Sequence, residues 1–247
     1  MNRHKTSTLE TFGLASDGTP LQWLVSTPTG FGPWPGILLI HGGGFHGGGP
    51  KDITTICAPA LNAAGYVTYA NTYRLVLPGK LPGQKSNGQY PDQTNDMMVA
   101  VSGALGDHRC NGSLQSVGGS AGGYEVLWLI AHGLRPLSGV AMSPASQLDD
   151  PISLQNAAFA KDVNNYAPGN LGPASPNRYY TGSSKPVFVA SFAQDNMPGP
   201  QYDLAIAALG SAGVSFENIL LPGAGHSYPD AWSLIKDQAI AFLNAHR

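Results

Sequence analysis

From residue 36 onward the chain alternates short apolar runs with stretches of helical spacing. Gly36-Ile37-Leu38-Leu39-Ile40 is a continuous apolar run of strand length, the pattern of a strand buried on both faces. Ile53 to Ala64 reads as a helix, with Gly65 placed to end it. Tyr66–Tyr73 alternates as a strand. Met97, Met98, Val101 and Leu105 set the spacing of a helix from about Gln93 to Leu105. A short strand (Leu114–Val117), a helix (Ala121–His132, with Gly133 at its end) and a strand (Ser138–Met142) follow. Pro186–Phe192 (PVFVASF) is a clear strand, Tyr202–Leu209 is helical, Val214–Leu221 is a strand and Ala231–Ala245 is a closing helix. Such alternation predicts an α/β protein: a mostly parallel sheet with helices on both faces. The first 30 residues differ. Leu9–Leu14 and Leu21–Ser26 flank Asp17-Gly18, which predicts antiparallel strands there.

Two stretches lack this order. Leu75–Tyr90 is a Gly/Pro/Lys-rich loop. Residues 146–184, rich in Asn, Pro, Gly and Ser, predict a small cap or long loop with no amphipathic helix long enough to roof a tunnel. The expectation is one domain spanning 1–247, with that insertion inside it.

Charge narrows the possible partners. Charged residues make up 11% of the 247 and the net charge is −2, with no block of either sign. The usual charged share is about 25%. Neither a nucleic-acid surface nor a polybasic membrane patch is indicated. No run approaches 18 apolar residues, so no membrane span is predicted. The N-terminus, MNRHKTSTLETFGLASDG, lacks the apolar stretch of a secretory leader. With only Cys57 and Cys110, the chain reads as cytoplasmic, a secreted mature form with its leader removed being the alternative.

The sharpest motif is Gly118-Gly119-Ser120-Ala121-Gly122, a G-x-S-x-G match between a predicted strand and a predicted helix. A chain that turns sharply there presents a serine hydroxyl at a helix N-terminus. His41-Gly42-Gly43-Gly44-Phe45 follows the buried strand directly. Consecutive glycines let backbone N–H groups face a developing oxyanion. His226, within Gly223–Tyr228, sits between the last strand and the closing helix, where it can act as a base for Ser120. An acid is needed to orient it. Asp195 follows PVFVASF and gives the chain order Ser, Asp, His. Asp203, Asp149 and Asp150 compete for the role.

A rival uses the same glycines. Gly42, Gly44 and Gly47 spell G-x-G-x-x-G, but from Ile53 to Pro91 there is no acid to hold a ribose. No H-E-x-x-H and no zinc-spaced Cys pair occurs, so neither a metal nor a cofactor is expected.

Over roughly residues 20–247 the chain resembles the α/β-hydrolase superfamily, in its HGGG-bearing esterase/lipase group near the hormone-sensitive-lipase-like and feruloyl-esterase-like branches. Tyr73-Arg74-Leu75 and Pro91…Asp96 add to the likeness, and Arg74 and Asp96 are expected to form a structural ion pair. Gly119 departs from it, since many such enzymes carry an acid there. The resemblance implies Ser120 as nucleophile, His226 as base, Asp195 as its orienter, and oxyanion donors from Gly43, Gly44 and Ala121. The expected activity is a serine esterase acting through an acyl-enzyme on small-molecule esters with short acyl or compact aromatic or sugar groups. An amidase or formamidase on the same triad is the alternative. A catalytically silent binding protein on the same fold is the rival from another class.

Overall fold

A computed structural model of the chain describes residues 8–247. The reading of the N-terminal leader rests partly on residues 1–7, which lie outside the described residues. The strands are β1 (Glu10–Leu14), β2 (Pro20–Ser26), β3 (Trp34–Ile40), β4 (Val67–Asn71), β5 (Cys110–Gly119), β6 (Gly139–Met142), β7 (Val187–Asp195) and β8 (Phe216–Gly225). The helices are α1 (Pro50–Ala63), α2 (Asp92–Gly106), α3 (Ala121–Ala131), α4 (Ala157–Tyr166), α5 (Pro200–Ala212) and α6 (Ser227–Ala245).

All eight strands join one sheet in the order β1-β2-β4-β3-β5-β6-β7-β8. β2 runs antiparallel to both β1 and β4, and every later pairing is parallel. The apolar run in β3 explains its central place. Ile37 and Leu39 face one core with Ile53, Leu61, Trp232 and Phe242. Leu38 and Ile40 face the other with Tyr69, Met97 and Tyr124. Each fully buried side chain of this kind stabilises the fold by about 1.5–3 kcal/mol.

Several boundaries differ from the periodicity. α1 starts at Pro50, where a proline needs no hydrogen-bond acceptor and Asp52 Oδ2 accepts the Gly49 N–H at 3.1 Å. β5 begins at Cys110 rather than Leu114. Asn111, Gly112 and Ser113 hide its first half, although β3 already pairs there, Trp34 with Cys110. α6 starts at Ser227 rather than Ala231, because Asp230 Oδ2 accepts the His226 N–H at 2.7 Å. Within 146–184 the structure adds α4, which the pattern does not predict. Asn156 caps it, accepting from the Ala158 and Phe159 N–H groups at 3.1 Å each. Its inward face is Phe159, Val163 and Tyr166, an i, i+4, i+7 stripe diluted by polar neighbours.

A buried polar layer lies beneath the C-terminal end of β3. Tyr73 donates its hydroxyl to the His41 carbonyl at 2.8 Å, and the two rings stack at 4.3 Å. The next residue, Arg74, is fully buried. Its Nη2 meets Asp96 Oδ1 at 2.8 Å and its Nε meets Asp96 Oδ2 at 3.0 Å, and Asp96 Oδ2 also accepts the Arg74 N–H at 2.8 Å. The expected Arg74–Asp96 pair thus pins the start of the loop after β4 to α2.

Removing Asp96 takes the two-pronged partner from the buried guanidinium, which keeps only Asp92 at 3.2 Å and Asp17 at 4.0 Å, and leaves the Arg74 N–H without its acceptor. Asp96→Ala should cost about 3–5 kcal/mol, read from the urea midpoint. The double change Arg74→Met with Asp96→Leu should recover most of that. A loss under about 1 kcal/mol for Asp96→Ala would show that the pair anchors nothing.

Burial also pushes the His41 imidazole down to about 4, whereas an unfolded histidine titrates near ~6.5. Between these values the unfolded chain binds a proton that the native chain refuses. Stability should therefore fall as pH drops below about 6.5, by about 2–3 kcal/mol at pH 4.5 from this group alone. His41→Asn cannot titrate, so its loss between pH 7 and 4.5 should be smaller than that of wild type by this amount. Equal losses in urea unfolding would refute the assignment.

Candidate active site

Ser120 sits where β5 turns into α3. Its backbone is held at φ 55° and ψ −124°, a strained conformation for a residue with a Cβ. Its N–H donates to the Met142 carbonyl at 2.8 Å, which ties the turn to the end of β6. The flanking glycines are sterically required. A Cβ at Gly122 would run into the Ile40 carbonyl, and one at Gly119 into Ser227 Oγ. An acidic side chain before the serine would meet Ser227 and Tyr228.

His226 comes from the opposite end of the sheet, between β8 and α6. Its Nδ1 lies 2.6 Å from Asp195 Oδ1. The Asp195 side chain is 3% exposed and that of His226 25%. Asp195 closes β7 and is heavily hydrogen-bonded. Oδ1 also accepts the Met197 N–H at 2.8 Å. Oδ2 accepts Ser143 Oγ at 2.6 Å, Ser191 Oγ at 3.1 Å and the Phe192 N–H at 3.1 Å. Burial alone would raise this carboxyl. The bonds from His226, Ser143 and the two amides outweigh it and hold Asp195 below its ordinary value.

The competing acids are engaged elsewhere. Asp149 pairs with Arg178, Asp150 accepts the Ser153 N–H at 2.7 Å, and Asp203 lies on α5. None is hydrogen-bonded to His226 among the described residues.

Ser120 and His226 line one cavity of about 870 Å³ together with Gly43 and Gly44. No hydrogen bond joins Ser120 to His226 among the described residues, and such contacts are often loose until substrate binds. The Gly43, Gly44 and Ala121 N–H groups take no acceptor among the described residues. Gly43 has φ 128°, and a Cβ there would strike the Gly47 carbonyl, so only glycine fits. The G-x-G-x-x-G reading finds no support in this geometry. Gly42, Gly43, Gly44 and Gly48 face the cavity of Ser120 and His226.

Residues that the motifs do not single out complete the site. Ser143, at φ 46° just past β6, donates to Asp195 and accepts the Ser227 N–H at 2.8 Å. Its signal in the sequence is only its position at the C-terminal end of a parallel strand. Asp162 on α4 also lines the cavity, and nothing in the sequence marks it.

No protein-family model matches the chain, and no curated protein does. Solved structures do. A thermophilic esterase from the Planctomycetes species Thermogutta terrifontis is 18% identical with a TM-score of 0.77, covering 98% of this chain and 92% of its own. A truncated carbohydrate esterase from gut microbiota is 15% identical with a TM-score of 0.77, covering 99% and 98%. An acetyl ester-xyloside bifunctional hydrolase from Caldicellulosiruptor lactoaceticus is 16% identical with a TM-score of 0.78, covering 99% and 98%. With the strand order above, these likenesses establish the architecture: the chain has the α/β-hydrolase fold.

Proposed function

We propose that this protein is a serine hydrolase of carboxylic esters, of the HGGG-bearing group. The observation that carries the reading is the 2.6 Å contact between Asp195 and His226, with His226 lining the same cavity as Ser120. In the reaction, Ser120 Oγ attacks the ester carbonyl and its proton passes to His226 Nε2. Asp195 holds the Nδ1–H and stabilises the imidazolium. The Gly43, Gly44 and Ala121 N–H groups receive the oxyanion. His226 returns the proton to the leaving alcohol, which leaves an acyl-enzyme. Water, deprotonated by the same histidine, then releases the acid. The neighbours' chemistry supports this reading: the Thermogutta terrifontis esterase 2, 17% identical, occurs phosphonylated by sarin.

The substrate reading concerns size. α4 spends Val163 and Tyr166 on packing, and Tyr166 stacks on Phe45 at 4.1 Å. Only Ala158, Phe159 and Asp162 of this helix face the cavity. Its apolar share of the cavity wall is only Ala158 and Phe159, little roof for a long acyl chain. Short acyl or compact aromatic or sugar esters suit it.

A fluorophosphonate probe should label wild type and leave Ser120→Ala unlabelled. The same variant should lose ester turnover by several orders of magnitude. Turnover within tenfold of wild type in pure Ser120→Ala protein would remove the mechanism. On p-nitrophenyl esters, kcat/KM should peak between acetate and butyrate and fall by octanoate. A steady rise through dodecanoate would reveal a tunnel, because each buried methylene adds about 0.8 kcal/mol.

A further inference from the structure

Asp162 stands out from the rest of the cavity wall. It is the one residue of α4 that brings a charge to the cavity. Its position is tightly set. A Cβ built at Gly44 would lie 2.5 Å from Asp162 Oδ2, so the carboxylate abuts the oxyanion loop itself. Oδ1 lies 3.3 Å from His46 Nε2 on the same loop. Among the described residues no Lys or Arg lies within salt-bridge distance of it, and a neutral imidazole cancels none of its charge.

The carboxylate is not needed to hold the helix. Asn156 caps α4, its apolar stripe is buried, and Tyr166 stacks on Phe45. Nor does it help the loop receive negative charge, since a carboxylate beside the oxyanion position opposes that charge. Burial pushes the Asp162 carboxyl above its ordinary value despite His46. An acid kept in a cleft against that penalty is a candidate functional position. Two other charged side chains on the wall, Lys51 and Asp52 of α1, are of opposite sign, so the field they leave is small. Asp162 tips the rim negative.

We propose that Asp162 is a specificity-determining residue that makes the cavity favour esters bearing a positive charge over esters bearing a negative one. The inference rests on the esterase reading. Like charges in a partly desolvated cleft repel strongly, and a carboxylate held in place needs no reorganisation to act on the substrate.

The test uses two thioesters that share the acetyl group, S-acetylthiocholine as the cation and S-acetylthioglycolate as the anion, with thiol release as the readout. Wild type should show a cation-to-anion ratio of kcat/KM above about tenfold. Salt at 0.5 M should shrink that ratio, because it screens charge. Asp162→Asn keeps the size of the side chain and an acceptor for His46. It should lower the ratio at least fivefold and make it insensitive to salt, with the melting temperature as the check on folding. A structural role for Asp162 would change both rates together and leave the ratio alone. A wild-type ratio below two overturns the proposal without any variant. So does an Asp162→Asn ratio within twofold of wild type. Protein that hydrolyses neither thioester and takes no phosphonate on Ser120 overturns the esterase reading, and the charge preference with it. Protein that is labelled and active but shows no preference overturns the charge preference alone.

Discussion

Three backbones meet under Ser120, and the closeness of that meeting governs the rest of the site. The end of β3, the end of β5 and the start of α3 approach until no Cβ fits between them. Gly122 lies against the Ile40 carbonyl, and Gly118 against the Gly122 carbonyl. Only this crowding lets the chain leave β5 and enter a helix within one residue. The cost falls on Ser120, held at φ 55°, where a non-glycine residue loses about 1–3 kcal/mol. Packing offsets it, because every residue of α3 is buried. The strained residue is therefore over-determined by its neighbours. The hydroxyl is fixed at the helix N-terminus, where the peptide dipoles favour negative charge.

The acid end of the proposed triad is governed by a different constraint, a buried carboxylate that must stay ionised. Five donors meet its two oxygens: His226, the Met197 and Phe192 amides, and the Ser143 and Ser191 hydroxyls. In a low-dielectric setting each is worth more than in water, and an unmet oxygen would be costly. Ser143 also accepts the N–H of Ser227, the residue after His226. One hydroxyl thus joins the ends of β6 and β7 to the residue that carries the imidazole onward into α6. The orientation of His226 belongs to the sheet edge as much as to Asp195.

What the sequence discloses follows from whether a feature is local. β3 and β7 are legible because burial on both faces writes an apolar run, unbroken in Ile37–Ile40 and interrupted only by Ser191 in Val187–Phe192. The Ser120 elbow is legible because close backbone approach demands small residues at fixed offsets. The choice among Asp149, Asp150, Asp195 and Asp203 is not local. It turns on which carboxylate reaches His226 across 31 residues of chain, and on Arg178 and the Ser153 amide engaging two of the others. α4 is missed because its stripe spans only three apolar residues among Asn, Lys and Asp. Asp162 carries no pattern at all, and Ser143 only its place just past β6. Their roles exist only once β6 lies beside β7 and α4 lies over the glycine loop.

The repeated HGGG shows how one string can do two jobs. The first histidine is buried and stacked on Tyr73, and its Nδ1 lies 2.8 Å from the Gly42 carbonyl. A carbonyl only accepts, so Nδ1 carries the proton. The second run folds back, and the His46 and Gly47 N–H groups both donate to the Gly43 carbonyl, at 3.1 and 2.9 Å. Each of these bonds fixes a carbonyl, and in a planar trans peptide the next N–H points the opposite way. Holding the Gly42 carbonyl therefore aims the Gly43 amide, and holding the Gly43 carbonyl aims the Gly44 amide. Both glycines line the cavity of Ser120. Glycine-rich loops are the least ordered way to present donors, because each glycine gives up the most backbone freedom on folding. Here the freedom is removed from behind, by a neutral buried histidine and by the second copy of the motif. Under the proposed mechanism, donors fixed before the oxyanion forms need no reorganisation when it does. The second HGGG is thus the clamp that turns the first from a flexible loop into a preorganised site.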